Sequence, residues 1–212
     1  MRLGYKHHIE RLTQGLPKAW RVAIDWLVTI LGAILIVLAI KQWVINPYRI
    51  PSSSMEPTLH CARPAQGCEA RGGLVDGSDR VLACRFCYEL WGPKRGDIVV
   101  FNTPPQAAER CGSGGVFVKR LIGLPGDTVR EDGDAFIWIN GKKLKESYIK
   151  PYRRSSDSHR NQTWQVPRGQ YFMMGDNRGG SCDSRIWGSV PRHDLIGKVI
   201  ATYWPPARIS IQ

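Results

Sequence analysis

The sequence predicts a mainly β protein in which one N-terminal transmembrane helix precedes an antiparallel, partly closed, β-barrel-like domain. Three observations lead to this fold class. One long apolar run lies close to the N-terminus, and short runs rich in β-branched residues follow it. The chain also holds 22 Gly and 14 Pro, which favour frequent turns over a helical bundle. With hydrophobic residues at 42% of 212, a folded core is expected.

The apolar run extends from Val22 to Ile40 and has the length of one membrane span, for which about 20 apolar residues suffice. Its one charge, Asp25, lies near an end, where the carboxylate can reach the interface. A buried core helix is the alternative, but a helix that is apolar on every face suits a soluble domain poorly. We expect residues 1–20 to form a basic segment and residues 21–45 to form a retained anchor, because the run is longer than the apolar core of a cleaved signal peptide. Three tryptophans lie near the two ends of the run, where indoles favour the headgroup layer: Trp20, Trp26 and Trp43.

Charge asymmetry predicts the orientation of this anchor. Only Glu10 opposes the basic residues that precede the run, which are Arg2, Lys6, Arg11, Lys18 and Arg21. By the positive-inside rule, the N-terminus stays in the cytoplasm and the chain after Lys41 is exported. The expected location is therefore a cell membrane, crossed once, with an extracytoplasmic domain.

The formal net charge of +12 requires an anionic partner or surface to be considered. The basic residues are spread along the chain, and no helix-turn-helix, zinc-finger or aromatic RNA-binding pattern accompanies them. The phospholipid membrane is therefore the expected anionic partner, and nucleic acid is not.

Cysteines occur only after the apolar run, at Cys61, Cys68, Cys84, Cys87, Cys111 and Cys182. An even number on one side of a membrane is typical of disulfides in an oxidising compartment. The CxxC pair leaves zinc as an alternative, although the upstream spacings fit no common zinc ribbon. Sequence cannot fix the connectivity. We expect Cys61 to pair with Cys68 and Cys111 with Cys182, because each bridge closes a plausible loop, and we leave the CxxC pair open.

Strand-like runs and turn signals fill the chain after the anchor. Asn140-Gly141 lies between two strand-like flanks and predicts a hairpin. The spacing predicts one antiparallel domain over residues 46–212, with a cysteine-bearing insertion over 61–91 and a polar surface loop from Tyr152 to Gln162. The predicted strands include RGDIVVF (Arg95–Phe101), VFVKRLIG (Val116–Gly123), QYFMMGDN and KVIATYW.

Three segments carry groups suited to chemistry. In IPSSSMEPTL, a serine cluster follows the anchor. A flexible Ser-rich spacer is the alternative. The Met, Pro, Thr and Leu that follow the serines argue against it, because a spacer does not require them. In VFVKRLIG, Lys119 shares a strand face with Phe117 and Leu121. Such a lysine either extends to solvent or stays neutral, and a neutral amine can act as a general base. In MGDNRGGSCDSRIWGSVP, tight turns bring several polar side chains close together. Taken alone, this segment also fits a surface turn with an Asp–Arg pair.

Taken together, these segments resemble the type I signal peptidases (leader peptidases), which are membrane serine endopeptidases of the Ser/Lys type. The resemblance rests on four motifs in order: SMEPTL, GDIVVF, KRLIGLPGD and GDNRGGSCDSRIWG. It implies a β-rich catalytic domain that removes N-terminal signal peptides from exported preproteins through an acyl-enzyme. The expected partners are signal peptides with small residues at the cleavage site.

The same resemblance implies the roles of individual residues. Ser54 corresponds to the nucleophile and Lys119 to the general base, and neither a cofactor nor a metal is expected. No histidine here has a convincing triad context, so the lysine supplies the base. The remaining assignments are Ser52, which with Ser54 forms the oxyanion hole; Ser181, which orients the lysine; Asp183 and Arg185, which give structural support; and Ile50 and Val118, which line the substrate pocket.

Two other functions compete with this interpretation. A self-cleaving Ser/Lys protease of the phage-repressor type requires a DNA-binding domain and a cleavable linker, where this chain has an apolar run. An inactive membrane-tethered β domain that only binds partners is disfavoured because Ser54 and Lys119 both lie in matching motifs. A peptidase specialised for a few pilin-like or conjugation substrates stays open.

Overall fold

The computed structural model describes residues 15, 17–43, 45–61, 68, 77–155 and 159–212. The chain divides into two units, Met1–Val44 and Ile45–Gln212. In the first unit, helix α1 spans Lys18–Trp43. Its stretch from Lys18 to Leu38 is long and apolar enough to cross a membrane, and none of it is buried within the protein. The predicted basic residues Arg2, Lys6 and Arg11 lie outside the described residues.

Antiparallel strands build the second unit. Its longest strands are those that the sequence predicts from its β-branched runs. The strands are β1 (Ile45–Arg49), β2 (Arg80–Cys84), β3 (Ile98–Asn102), β4 (Val116–Gly123), β5 (Thr128–Glu131), β6 (Ile137–Ile139), β7 (Lys142–Lys143), β8 (Thr163–Gln165), β9 (Gln170–Met174), β10 (Val190–Pro191), β11 (Leu195–Trp204) and β12 (Ser210–Ile211).

Short helices connect these strands and lie at the ends of the sheets. They are α2 (Cys87–Trp91), α3 (Pro105–Cys111), α4 (Pro151–Ser155) and α5 (Ser184–Trp187), with 3-10 turns at Ser53–Met55, Arg178–Gly180, Arg192–Asp194 and Pro206–Arg208.

Two sheets form the described part of the domain. The larger has eight strands in the order β1-β2-β11-β3-β4-β9-β10, with β12 paired to β11, and it curls into a partly closed barrel. The smaller has four strands in the order β7-β6-β5-β8. All the strand pairs among the described residues are antiparallel, which confirms the predicted fold class.

The predicted hairpin at Asn140-Gly141 is confirmed, because β6 and β7 pair on either side of it. Both turn residues have positive φ, 50° at Asn140 and 79° at Gly141. A two-residue turn of this kind matches the twist of the strands that it joins, and Asn and Gly tolerate the left-handed conformation.

Three clusters of buried side chains make up the core. One lies around Phe101, Leu121 and Trp187, and a second around Ile50, Met55 and Val100. A third joins the small sheet to β4 and β9 through Ile122, Val129, Ile137, Ile139, Val166, Phe172 and Met174. Strand β4 contributes to these clusters from both of its faces, so its second half is buried without a break.

The structure pairs all six cysteines, as Cys61–Cys68, Cys84–Cys87 and Cys111–Cys182. Two of these pairs are those expected from the sequence, and the CxxC pair forms a bridge. The range 61–91, expected to be an insertion, also contains β2, which pairs with both β1 and β11. Residues 62–67 and 69–76 of that range lie outside the described residues.

The polar surface loop predicted from Tyr152 to Gln162 is partly wrong. Its first residues belong to helix α4, and Arg154 is buried. The guanidinium of Arg154 pairs with Glu146 at 3.0 Å and donates to the Ala135 carbonyl. The sequence around Arg154 does not show that a buried carboxylate will pair with it in the folded chain. For this reason the segment was predicted to be a surface loop. Residues 156–158 lie outside the described residues.

Candidate active site

The segment Ile50–His60 leaves β1 and makes the 3-10 turn that carries Ser54. Met55 and Leu59, 1% and 0% exposed, belong to the same core cluster as Ile50. These apolar side chains anchor the segment beneath the turn, so it is a fixed part of the domain rather than a Ser-rich spacer.

Ser54 and Lys119 lie in contact, although they are far apart in sequence. Lys119 Nζ is 2.5 Å from Ser54 Oγ, and the two residues are 3% and 7% exposed. Lys119 reaches this position from β4, which β3 covers along one edge. Its amine also lies 5.1 Å from the centre of the Phe117 ring, in keeping with the shared strand face expected from the sequence.

Burial dominates the electrostatics of this amine. Loss of hydration lowers the pKa of Lys119 from its ordinary value of 10.5 to about 8. The carboxylates of Asp183 and Asp176 act in the opposite direction, and Arg185 adds to the lowering. A substantial fraction of neutral amine is therefore present near pH 8, hydrogen-bonded to a hydroxyl whose proton it can accept.

Ser52 lies beside this pair. Its Oγ is 3.3 Å from Ser54 Oγ, and Ser52 itself is exposed toward the cleft. A hydroxyl at this position, together with the Ser54 backbone N–H, suits the stabilisation of an oxyanion formed at the serine.

Asp183 and Arg185 form a buried ion pair, with 2.9 Å between Arg185 Nη2 and Asp183 Oδ2. Asp183 also caps helix α5 by accepting from the Arg185 backbone N–H, and it accepts from Gly175 N at 3.0 Å. Although burial alone raises it, the pKa of Asp183 is held below its ordinary range by Arg185 and these hydrogen bonds. Arg185 in turn donates to the Arg178 carbonyl and lies 3.6 Å from Glu131.

Ser181 is buried near this ion pair. Its Oγ makes no hydrogen bond of regular geometry with any described residue, but it lies close enough to Asp183 to help lower the pKa of that carboxyl. The structure shows no hydrogen bond between Ser181 and Lys119 among the described residues, so its orienting role stays a prediction.

The turn Gly175-Asp176-Asn177 lies against the nucleophile turn, and sequence reasoning gave it no role. Asn177 N donates to Ser54 O, and its Nδ2 donates to Ser53 O, each at 3.1 Å. A Cβ at position 175 would lie 2.5 Å from Ser54 O and 2.2 Å from Ser181 Oγ, so only glycine fits there.

Asp176 is a second residue that sequence reasoning missed. Arg120 binds it with two nitrogens, at 2.8 and 2.6 Å, and Thr58 Oγ1 donates to it at 2.5 Å. This fork joins the residue after Lys119 to the segment that carries Ser54. The signal in the sequence was the Lys-Arg pair inside an apolar run, because a second buried cation there needs an anionic partner.

A cleft of about 540 Å³ opens in front of Ser54 and Lys119. Ile50 and Val118, the predicted pocket residues, both line it. The Cys111–Cys182 bridge lines it as well. The cleft is therefore shaped by the segment after β1, by the start of β4 and by this disulfide.

His60 is buried. Its Nδ1 lies 2.5 Å from Glu56 Oε2, and the described residues show no hydrogen bond between His60 and Ser54. Among the same residues, no group of three or more His, Cys, Asp or Glu side chains is arranged to hold a metal ion.

Comparison with known proteins identifies related sequences along most of the chain. The family model described as "Signal peptidase, peptidase S26" matches residues 23–204. "Probable signal peptidase I-2" of Synechocystis sp. is 37% identical over 86% of this chain and 74% of its own length. "Signal peptidase I P" of Bacillus subtilis subsp. natto is 34% identical over 88% and 91%. A crystal structure of a signal peptidase I from Enterococcus faecalis V583 is 36% identical, covers 50% of this chain and 96% of that one, and has a TM-score of 0.41.

Proposed function

Because this chain belongs to the signal peptidase family, peptidase S26, we propose that it removes signal peptides from exported preproteins by means of a Ser54–Lys119 dyad. Its relatives named signal peptidase I make it a serine peptidase, a hydrolase of peptide bonds. The observation that carries the assignment of the dyad is the 2.5 Å contact between Lys119 Nζ and Ser54 Oγ in a buried site.

The reaction begins with the neutral amine of Lys119. It accepts the proton of the Ser54 hydroxyl as Oγ attacks the scissile carbonyl carbon, and the carbonyl oxygen becomes an oxyanion. The Ser52 hydroxyl and the Ser54 backbone N–H donate to this oxygen. The Lys119 ammonium then protonates the leaving amine, the C–N bond breaks, and an ester to Ser54 remains.

Hydrolysis of this ester repeats the sequence with water as the nucleophile. Lys119 is neutral again after it has protonated the leaving amine, so it takes a proton from the water that attacks the ester carbonyl. Collapse of the second tetrahedral intermediate returns the proton to Ser54 Oγ and releases the signal peptide. The ion pair of Asp183 and Arg185 holds the motif GDNRGGSCDSRIWG in place throughout, without touching the reacting atoms.

The free edge of β4 supports a specific mode of substrate binding. Strand β9 pairs with β4 only from Arg120 onward, so Val116–Lys119 have β3 on one side and the cleft on the other. An extended peptide adds to such an edge through backbone hydrogen bonds. Ile50 and Val118 then contact alternate side chains of the peptide, and shallow apolar pockets at these positions favour small residues before the scissile bond.

The location follows from the anchor. Helix α1 is long and apolar enough for one span, and the residues before it are predominantly basic. We propose that residues 1–20 are cytoplasmic, that residues 21–45 cross the membrane once and that residues 46–212 act on its extracytoplasmic side.

A processing assay tests the dyad directly. The full chain in detergent or lipid vesicles is incubated with a preprotein, and the initial rate of signal-peptide release is compared with that of Ser54→Ala and Lys119→Ala. Each substitution removes the nucleophile or its base, so we expect a loss of at least about 1,000-fold. Ser147→Ala and Lys142→Ala, which change exposed side chains of the same types, serve as controls and keep the wild-type rate. If either dyad variant released the signal peptide at the wild-type rate, the assignment of Ser54 and Lys119 as the dyad would be refuted.

A further inference from the structure

One dipeptide holds both ends of the segment that carries the nucleophile. At the first end, Ile50 N donates to Asp79 O at 2.9 Å, and Ser78 Oγ donates to Ile50 O at 2.7 Å. Ser78 and Asp79 are 4% and 2% exposed, so these bonds are shielded from water. The start of the nucleophile segment is thereby fixed four residues before Ser54.

The second end of the segment meets the same dipeptide. His60 N donates to Asp79 Oδ2 at 2.8 Å, and Asp79 N donates to His60 O at 2.8 Å. The segment Ile50–His60 therefore starts and finishes on Ser78-Asp79, which closes it into a ring. A ring with both ends fixed has far fewer conformations than a loop with free ends.

Arg208 fixes the carboxylate of Asp79 from a third part of the chain. Its Nε lies 2.6 Å from Asp79 Oδ1, and its Nη2 donates to Gly77 O at 2.5 Å. The guanidinium compensates the buried negative charge and leaves the other carboxylate oxygen for His60 N. Each oxygen of Asp79 thus has its own donor.

Inside the ring, Glu56 acts as a brace. It is 0% exposed, its Oε2 lies 2.5 Å from His60 Nδ1, and its Oε1 accepts from Cys61 N at 3.2 Å. Its own backbone N–H donates to Ser53 O at 3.0 Å. Through these contacts Glu56 connects the fixed end of the segment at His60 to the turn at Ser53–Met55, so the position of the turn depends on the position of His60.

We propose that Asp79 is a positioning residue of this peptidase: with Ser78 it clamps both ends of the segment Ile50–His60 and thereby sets where Ser52 and Ser54 lie relative to Lys119. The inference rests on the proposed Ser54–Lys119 dyad. Lys119 comes from β4, so the dyad distance depends on how firmly the nucleophile segment is held against a separate strand. Small displacements matter here, since a shift of about 1 Å at a reacting atom can lower a rate by roughly 100-fold.

Asp79→Asn in the full chain is the first test. Asparagine keeps the shape but has one oxygen and one amide nitrogen, so either Arg208 Nε or His60 N loses its acceptor. We expect kcat for preprotein processing to fall by about 10- to 100-fold with KM nearly unchanged, because the walls formed by Val118 and the Cys111–Cys182 bridge are untouched.

Asp127→Asn is a matched control. Asp127 is also buried and also binds one arginine and one backbone N–H, namely Arg95 at 2.8 Å and Leu124 N at 2.6 Å, and it accepts in addition from Asn140 Nδ2 at 2.7 Å. It lies in the turn before β5 and makes none of the contacts of the nucleophile segment. We expect it to lower thermal stability to a similar extent as Asp79→Asn and to leave kcat unchanged. An equal fall of kcat in both variants would overturn the positioning role.

A double-mutant cycle separates positioning from general destabilisation. Ser52→Ala alone is expected to lower kcat by about 100-fold, as the loss of one oxyanion donor does. If Asp79 places that donor, Ser52→Ala has a much smaller effect in the Asp79→Asn background. Independent, multiplicative effects contradict the proposal.

Ser78→Ala keeps the inference testable if Asp79→Asn does not fold. It removes one hydroxyl that binds Ile50 O, and it is expected to lower kcat by about 3- to 10-fold; because Ile50 also lines the cleft, KM is expected to rise by a smaller factor. An unchanged kcat contradicts the clamp. Activity in Ser54→Ala or Lys119→Ala would instead refute the dyad itself, so the two failures are distinguishable.

Discussion

Opposing electrostatic effects act on the amine of Lys119. Burial favours its neutral form, and the carboxylates of Asp183 and Asp176 favour its charged form. Burial prevails because Arg185 and Arg120 already neutralise those carboxylates at hydrogen-bond distance. The ion pairs around the site therefore keep the pKa of the lysine low while they hold the surrounding segments together.

Lys119→Met is expected to stabilise the folded protein at neutral pH. The folded pKa is about 8 and the ordinary value is 10.5, so below pH 8 the native state carries a penalty for its buried amine that the unfolded state does not. This difference corresponds to about 3 kcal/mol, and it disappears as pH rises from about 8 toward about 10.5. Methionine fills a similar volume without the charge.

Thermal unfolding of both proteins in the same detergent measures this effect. The melting temperature of Lys119→Met should exceed that of wild type at pH 7, and the gap should narrow by pH 10. Lys142→Met, at an exposed position, controls for loss of a positive charge. A variant less stable than wild type at pH 7 would show that the amine is not destabilised by burial.

Residues with local sequence signals could be predicted, and residues defined by distant partners could not. Ser54 and Lys119 lie in motifs, and a lysine inside an apolar run is unusual by itself. Asp79 lies in an ordinary Gly-Ser-Asp turn sequence, yet it receives bonds from Ile50, His60 and Arg208. No spacing rule connects such positions, so only the folded chain identifies its role.

At the scale of elements, the sequence predicts strands well where β-branched residues are dense. Strands β4 and β9 fall within predicted runs, β3 and β11 overlap theirs but extend to Asn102 and back to Leu195, and the Asn-Gly hairpin is confirmed. The short helices were not predicted, because elements of four to seven residues have too few turns to show a 3.6-residue period.

Two elements acquire their function from how others pair with them. Strand β4 is paired on both sides at Arg120, but at Val118 only β3 accompanies it. The fully paired half begins directly after Lys119 and fixes the end of the strand, and the half-paired section carries Lys119 and is the edge to which we propose that a peptide adds. The Cys111–Cys182 bridge joins the end of α3 to the segment before α5, so it connects the loop that enters β4 to the motif GDNRGGSCDSRIWG. Sequence suggested this pairing, but only the fold shows that it borders the cleft.

At the scale of the whole molecule, the charge distribution predicts one orientation in the membrane. In the topology that we propose, the basic residues before the apolar run are cytoplasmic and the disulfide-bonded domain after it is extracytoplasmic. Protease added to intact spheroplasts should therefore degrade residues 46–212 and spare an N-terminal tag. Protection of the domain until the membrane is broken would reverse the proposed topology.

The central claim is that a neutral lysine activates the serine, and the pH dependence of kcat/KM tests it most directly. The substrate is a signal peptide analogue without ionisable groups near the scissile bond, so the profile reports the free enzyme. Because the base must be unprotonated, kcat/KM should rise about tenfold per pH unit below the pKa of Lys119, near 8, and level off above it. A profile that is flat between pH 6 and 9, or that falls as pH rises through 8, would contradict the account.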